Sequence, residues 1–92
     1  MNKTIEKKVR SKYFTEIESG HKTFELRLAD WDCQTGDILI LIETDDETNE
    51  PTGRTMRRVV GDVVRTKDID YFTPEDIEKY GYQIISLVDE EK

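Results

Sequence analysis

The aliphatic run Ile38–Ile42 is the feature that most constrains the fold of this 92-residue chain. It reads ILILI, follows the turn signal Gly36-Asp37 and precedes the polar stretch Thr44–Gly53. An unbroken apolar run of this length between turn signals is typical of a strand buried on both faces. We therefore expect a sheet built around this strand, with a long exposed hairpin loop after it.

Residue alternation and helix-end signals predict the remaining elements. They are an edge strand at Thr4–Val9, a helix from the N-cap Ser11 to Ser19 with Gly20 after it, a strand at Phe24–Leu28, a strand at Arg54–Arg65 bent at Gly61, a helix that begins at Thr73-Pro74 and ends near Gly81, and a closing strand at Tyr82–Val88. In the second of these strands, Phe24, Leu26 and Leu28 are expected to face the core. The predicted fold class is mostly β with two short helices, arranged as a small, mostly antiparallel β-barrel. A split α+β sheet is the alternative.

Length and composition indicate one small domain over residues 1–92. The net charge of −7 disfavours strong nonspecific binding to duplex nucleic acid, although a local basic patch can still bind it. A single cysteine cannot form an internal disulfide, which suits a cytoplasmic protein. We expect no membrane segment, because no apolar stretch approaches the roughly 20 residues that a bilayer requires. We also expect no metal and no cofactor, because one histidine and one cysteine are too few for an ordinary zinc site.

Three charged residues in the segment Gly20–Arg27, GHKTFELR, are the first candidates for a binding site. Glu25 and Arg27 share one face of a predicted strand, where a surface ion pair is worth about 0–1 kcal/mol. Lys22 follows the first predicted helix, where a solvated lysine favours the helix C-terminal dipole. Taken alone, these residues fit ordinary surface charges better than a site.

The segment GHKTFELR resembles the glycine-x-lysine-x-x-glutamate-x-arginine signature of ASCH (activating signal cointegrator homology) domains, which are small β-barrels of the PUA-like superfamily. YFTEIESG before it resembles the family's helix, TGDILIL after it the turn and core strand, and GYQIISL the last strand. The resemblance is strongest to small ASCH-like proteins of phages and bacteria. Two positions depart from that subgroup: Trp31 stands at a usually basic position, and Cys33 at a usually aromatic one.

The resemblance implies a ligand cleft beside the barrel, lined by Lys22, Glu25 and Arg27. Glu25 would accept hydrogen bonds from base amino groups, and Arg27 would bind phosphate or a carbonyl with its planar fork of donors. In a related branch of amidohydrolases that act on N4-acetylated cytidine, the matching lysine is catalytic, which would make Lys22 and Glu25 the catalytic candidates. That branch has a threonine nucleophile where this chain has Glu25. Its third catalytic residue is a glutamate, for which Glu75 is a candidate.

Three more residues are candidates for ligand binding. Trp31 would provide a stacking platform for a base, or else a lid on the barrel end. Arg54 and Arg58 would form a basic strip together with Lys8, or else protect an edge strand from aggregation. Cys33 is expected to be a small buried filler rather than a nucleophile.

The leading hypothesis from the sequence is a monomeric module that binds RNA or a modified nucleoside. One alternative is a small amidohydrolase that acts on an N4-acylated cytidine-type nucleoside. The other is a protein-interaction domain of phage or bacterial origin.

Overall fold

The computed structural model describes residues 2–90 and has a small, mostly β fold with a three-stranded sheet and two short helices. Its elements follow in the order β1 (Thr4–Arg10), α1 (Ser11–Glu18), β2 (Ile38–Thr44), β3 (Pro51–Val59), a 3-10 turn (Thr66–Asp68) and α2 (Pro74–Tyr80). The predicted first strand, both helices and the strand at Ile38–Ile42 are therefore confirmed as elements.

The sheet has β2 at its centre, in the order β1-β2-β3. β1 pairs with β2 in parallel, with Ile5 opposite Leu39, and β3 pairs with β2 antiparallel, with Met56 opposite Leu41. The predicted mostly antiparallel arrangement is thus wrong for one of the two pairings. Between the end of β1 and the start of β2 the chain runs through α1 and residues 19–37, which is long enough to cross over and return parallel.

The core lies on one face of this sheet, beneath α1. Val9, Leu41 and Met56 come from the three strands, and Phe14 of α1, which is fully buried, closes over them. Burying a phenylalanine side chain stabilises a fold by about 1.5–3 kcal/mol. The other face of β2 carries Ile38, Ile40 and Ile42, which are only half-buried. The prediction that this strand is buried on both faces therefore holds for one face only.

The two helix starts differ in how well they were predicted. Thr73 is the N-cap of α2, and its hydroxyl accepts a hydrogen bond from the Asp76 amide at 3.2 Å, as predicted. Ser11 does not cap α1, because Arg10 occupies the N-cap position with no side-chain hydrogen bond. The Ser11 hydroxyl instead lies close enough to the Glu43 carboxylate to help lower the pKa of that group. After α1, Gly20 has φ +82°, the left-handed conformation predicted for it.

Three predicted strand segments carry no regular strand pairing in the structure. These are the whole of Phe24–Leu28, the whole of Tyr82–Val88, and the part of Arg54–Arg65 that follows Val59. In the first of them, Leu26 and Leu28 are 65% and 80% exposed, so the prediction that both side chains build the core is wrong. The reason is a side-chain contact: the Arg27 guanidinium, rather than a backbone amide, donates to the Lys8 carbonyl of β1.

Candidate functional site

A cleft opens between β1, the start of α1 and the segment at residues 22–27. Its volume is about 370 Å³, which falls within the range of small-molecule sites. The cleft contains five residues of the segment Gly20–Arg27, among them its three charged ones, together with residues of β1 and α1. Its lining consists of Lys8, Val9, Arg10, Tyr13, Lys22, Phe24, Glu25, Leu26 and Arg27. Lys22, Glu25 and Arg27 are thus brought together by the fold.

The Glu25–Arg27 pair forms one wall of the cleft. Arg27 Nε lies 2.7 Å from Glu25 Oε2, and a second guanidinium nitrogen donates to the Lys8 carbonyl. The Glu25 and Arg27 side chains are 21% and 30% exposed, whereas Leu26 and Leu28 are 65% and 80% exposed. The charged side chains therefore face the body of the protein. A partly buried pair held by a backbone carbonyl is better ordered than the surface ion pair that the sequence suggested.

Lys22 is held by its backbone and by two aromatic rings. Its amide donates to the Glu16 carbonyl near the end of α1 at 3.0 Å. Its ammonium lies 4.5 Å from the centroid of the Tyr13 ring and 5.1 Å from that of Phe24. Both distances are within the range of a cation–π interaction, which is worth about 0.5–1 kcal/mol at an exposed site. The rings therefore keep this positive charge inside the cleft.

The cleft is positive although the chain as a whole is acidic. Four cationic side chains line it against the single carboxylate of Glu25, a local excess of three positive charges on a chain of net charge −7. Arg27 already uses part of its fork of donors within the protein, while Glu25 keeps acceptor capacity. Such a lining suits a ligand that carries both an anionic group and hydrogen-bond donors.

The other predicted site residues lie elsewhere. Trp31 packs under the ammonium of Lys7, which is 3.9 Å from the ring centroid. Arg54 bonds Glu18 at 2.5 Å and lies over the Phe14 ring, beside the core. Arg58 donates to the Arg57 carbonyl. None of the three lines the cleft.

The predicted basic strip is divided by the strand register. Lys8 pairs with Ile42, and Ile42 with Thr55, whereas Arg58 pairs with Leu39. Because residues an odd number of positions apart in a strand face opposite sides of the sheet, Lys8 and Arg58 lie on different faces. The expectation of one strip that contains both is therefore wrong.

Sequence reasoning did not identify Tyr13 and Phe24 as lining residues. Tyr13 falls within the predicted first helix, and Phe24 is among the residues expected to face the core. Phe14 is the buried residue of α1, so the neighbouring Tyr13 has to lie on the flank of the helix. This flank lies next to the chain that leaves the helix, and so the Tyr13 ring lies beside Lys22. The position of Tyr13 next to the buried Phe14 is the signal that could have identified it.

Two buried carboxylates outside the cleft have structural roles. Asp37 is 1% exposed and accepts hydrogen bonds from the Lys3 and Gln34 amides at 3.0 and 2.8 Å. These backbone donors, that of Gln34 foremost, lower the pKa of Asp37. Glu43 is 4% exposed, and the hydroxyl of Thr52, which donates to it, lowers its pKa. Both groups have their partners within the protein.

The half-buried Cys33 has no features of a nucleophile. Burial raises the pKa of its thiol, so the reactive thiolate is disfavoured. In residues 2–90, histidine, cysteine, aspartate and glutamate side chains form no group of three that would hold a metal ion. Neither helix in this part of the chain has the length and apolar character needed to cross a membrane.

Comparison with known proteins relates nearly the whole chain to one family. Residues 4–85 match the model of a domain of unknown function, DUF3850. The match spans β1 through α2, and so it includes every residue that lines the cleft. Comparison with curated proteins and with solved structures gave no match. The chain belongs to the DUF3850 family.

Proposed function

We propose that this protein binds single-stranded RNA or a modified nucleoside in the cleft formed by β1, α1 and residues 22–27. The observation that carries the proposal is the convergence of Lys22, Glu25 and Arg27 on one cleft of about 370 Å³. Two further cations, Lys8 and Arg10 of β1, line the same cleft. This local positive charge is what a phosphate-bearing ligand requires of an acidic chain.

We also propose that the fold as a whole resembles the ASCH and PUA-like barrels more closely than its three-stranded sheet alone does. Its support is a set of contacts beyond β1. Arg27 binds the edge of β1 through the Lys8 carbonyl, and the Thr23 hydroxyl donates to the Leu87 carbonyl at 3.4 Å. The Ser86 hydroxyl donates to the His21 carbonyl at 3.3 Å. These contacts link the segment at residues 22–27 to β1 and to residues 86–87, and this chain of contacts supports the proposed barrel.

Each polar side chain of the cleft has a specific part in ligand binding. Arg27 offers its remaining donors to a phosphate oxygen or a base carbonyl, and Glu25 accepts from an exocyclic amino group. Lys22 supplies a point charge for phosphate, without the geometric demand of a guanidinium. A ligand that combines a base edge with a phosphate would use all three residues. A ligand that consisted of phosphate alone would be repelled by the carboxylate of Glu25.

The cleft favours binding over hydrolysis. None of the nine lining residues is a serine, threonine or cysteine. The Thr23 hydroxyl, adjacent in sequence, is directed to the Leu87 carbonyl. Glu75 lies in α2, outside the lining. An amidohydrolase would have to use Lys22 and Glu25 without a serine, threonine or cysteine nucleophile from the lining.

The test is an NMR titration with a single-stranded RNA hexamer, with cytidine and with N4-acetylcytidine, each to millimolar concentration. Amides of residues 22–27 and of Lys8 to Tyr13 are expected to shift. Arg27→Lys keeps the charge but loses the fork of donors, so it should weaken RNA binding by about tenfold, the loss of one charge-assisted hydrogen bond. Arg58→Lys is the matched control outside the cleft and should leave the affinity unchanged.

Two results would contradict the binding proposal. One is the absence of shifts in the cleft with every ligand, and the other is equal weakening by the two arginine substitutions. Release of cytidine from N4-acetylcytidine, followed by chromatography in the same samples, would instead establish the hydrolase. Loss of that release in Lys22→Gln would then assign it to the cleft.

A further inference from the structure

A cluster of exposed aromatic rings lies around α2, apart from the cleft. Tyr71 and Phe72 meet edge to face with ring centroids 6.0 Å apart, and Phe72 and Tyr82 do so at 6.3 Å. Phe72 is 54% exposed and Tyr80, on the helix, 73%. Exposed rings that contact one another form an apolar surface of the kind that marks an interaction site.

These rings border a pocket of about 260 Å³. It is lined by Phe72, Asp76, Ile77, Tyr80 and Gly81. The local fold builds it in two steps. The Thr73 cap and Pro74 start α2 directly after Phe72. Gly81, at φ +68°, then turns the chain so that Tyr82 returns to the Phe72 ring.

The helix that builds the pocket is acidic. α2 carries three carboxylates, those of Glu75, Asp76 and Glu78, and one cation, Lys79. One carboxylate, that of Asp76, belongs to the lining itself. A pocket that combines aromatic rings with a carboxylate attracts cations in two ways, through ring quadrupoles and through charge.

We propose that this pocket receives a lysine or arginine side chain from a basic segment of a partner protein. Its volume is smaller than that of sites for drug-sized molecules, and it suits one long side chain. The acidic helix would repel the phosphates of a nucleic acid, whereas it attracts a basic peptide. A cation–π contact of this kind occurs within the chain, where the Lys79 ammonium lies 5.1 Å from the centroid of the Tyr80 ring.

The proposal concerns a second site and does not depend on the function proposed for the cleft. The cleft is lined by basic residues of the N-terminal part, and the pocket by residues 72–81. One surface therefore favours an anionic partner and the other a cationic one. A protein with both surfaces would be able to contact a basic protein and its RNA at the same time.

The experiment is a calorimetric and NMR titration of the full chain with a short capped peptide of alternating glycine and arginine. The same peptide with glutamine in place of arginine is the uncharged control. Binding of the arginine peptide should shift the amides of Phe72, Tyr80 and Gly81. Asp76→Asn keeps the backbone amide that Thr73 caps and should weaken binding about three- to tenfold, because it removes the carboxylate of the pocket.

Glu78→Gln is the matched control, because it removes one negative charge from the same helix at a position outside the lining. It should change the affinity less than about twofold, as expected for a charge in solvent. Equal weakening by the two variants would overturn the proposal, since it would indicate general charge attraction. It would also be overturned if the arginine peptide moved no amide of the pocket, or if the RNA hexamer moved them instead.

Discussion

The two groups of charged side chains in this protein differ in where their hydrogen-bonding capacity is used. Asp37 and Glu43 are buried carboxylates whose partners are backbone amides, one hydroxyl and the side chains of a lysine and an arginine of the same chain. In the cleft, cations exceed the one carboxylate, and the Lys22 ammonium lies over the rings of Tyr13 and Phe24. The first group is bonded within the protein, whereas the cleft holds an excess of positive charge.

This difference predicts which substitutions should alter stability and which should alter binding. A buried carboxylate with internal partners is costly to disturb, because the loss of either partner leaves an unpaired polar group. A cation over an exposed ring contributes little to the fold, and its charge remains available to a ligand. Changes in the first group should therefore alter stability, whereas changes in the cleft should alter binding.

Acid is expected to have the largest effect, because it acts on several internally paired carboxylates together. The pKa values of Asp32, Asp37, Glu43 and Asp45 are all lowered, chiefly by hydrogen bonds to their charged forms. A lowered folded pKa stabilises the fold above the unfolded value of about 4, and this contribution is lost as the pH falls through the folded value. The melting temperature should be level from pH 7 to about pH 5 and should fall steeply below pH 4.

Thermal melts followed by circular dichroism test this at a constant salt concentration that screens the net negative charge. A melting temperature that rises as the pH passes below 4 would mean that relief of charge repulsion outweighs the paired carboxylates. The distinction between carboxylates that stabilise the fold and charges that line the cleft would then no longer hold.

The next largest effect is expected from Asp37→Ala. The substitution removes the acceptor for the Lys3 and Gln34 amides at the turn into β2. The melting temperature should fall by about 5 °C or more at pH 7, since two part-buried hydrogen bonds to a buried carboxylate are lost. Glu47→Ala, in the exposed loop between β2 and β3, is the control and should shift the melting temperature much less. Equal shifts in the two variants would show that Asp37 does not pin the turn.

The elements that depend on local signals were predictable from the sequence. The aliphatic run of β2, the Thr73-Pro74 start of α2 and the glycine after α1 each have a local physical cause, and all three are present. The grouping of Lys22, Glu25 and Arg27 was expected from a family resemblance rather than from their chemistry. Taken residue by residue, they fitted surface charges.

The features that depend on long-range contacts were not predictable. Alternation in the segment at residues 24–28 defines two faces but does not say which one turns inward. The choice depends on the bond between Arg27 and the Lys8 carbonyl, residues that are 19 positions apart. The face on which Arg58 lies depends on the pairing of β3 with β2, whose register shifts between Ile42 and Thr44. No local pattern of residues specifies either feature.

The smallest effect on stability is expected at Lys22, where the effect on binding should be clear. Lys22→Met keeps an unbranched side chain between the rings of Tyr13 and Phe24 and removes the charge. The melting temperature should fall less than in Asp37→Ala, by at most about 4–8 °C, because a cation over exposed rings is worth at most about 1 kcal/mol. If the cleft binds RNA as proposed, the slope of log affinity against log salt should decrease in magnitude by about 0.7, the value of one phosphate contact with a single strand.

Lys67→Met, which removes an exposed charge outside the cleft, is the control and should leave that slope unchanged. A large loss of stability in Lys22→Met with an unchanged slope would place this lysine among the structural charges, together with Asp37 and Glu43.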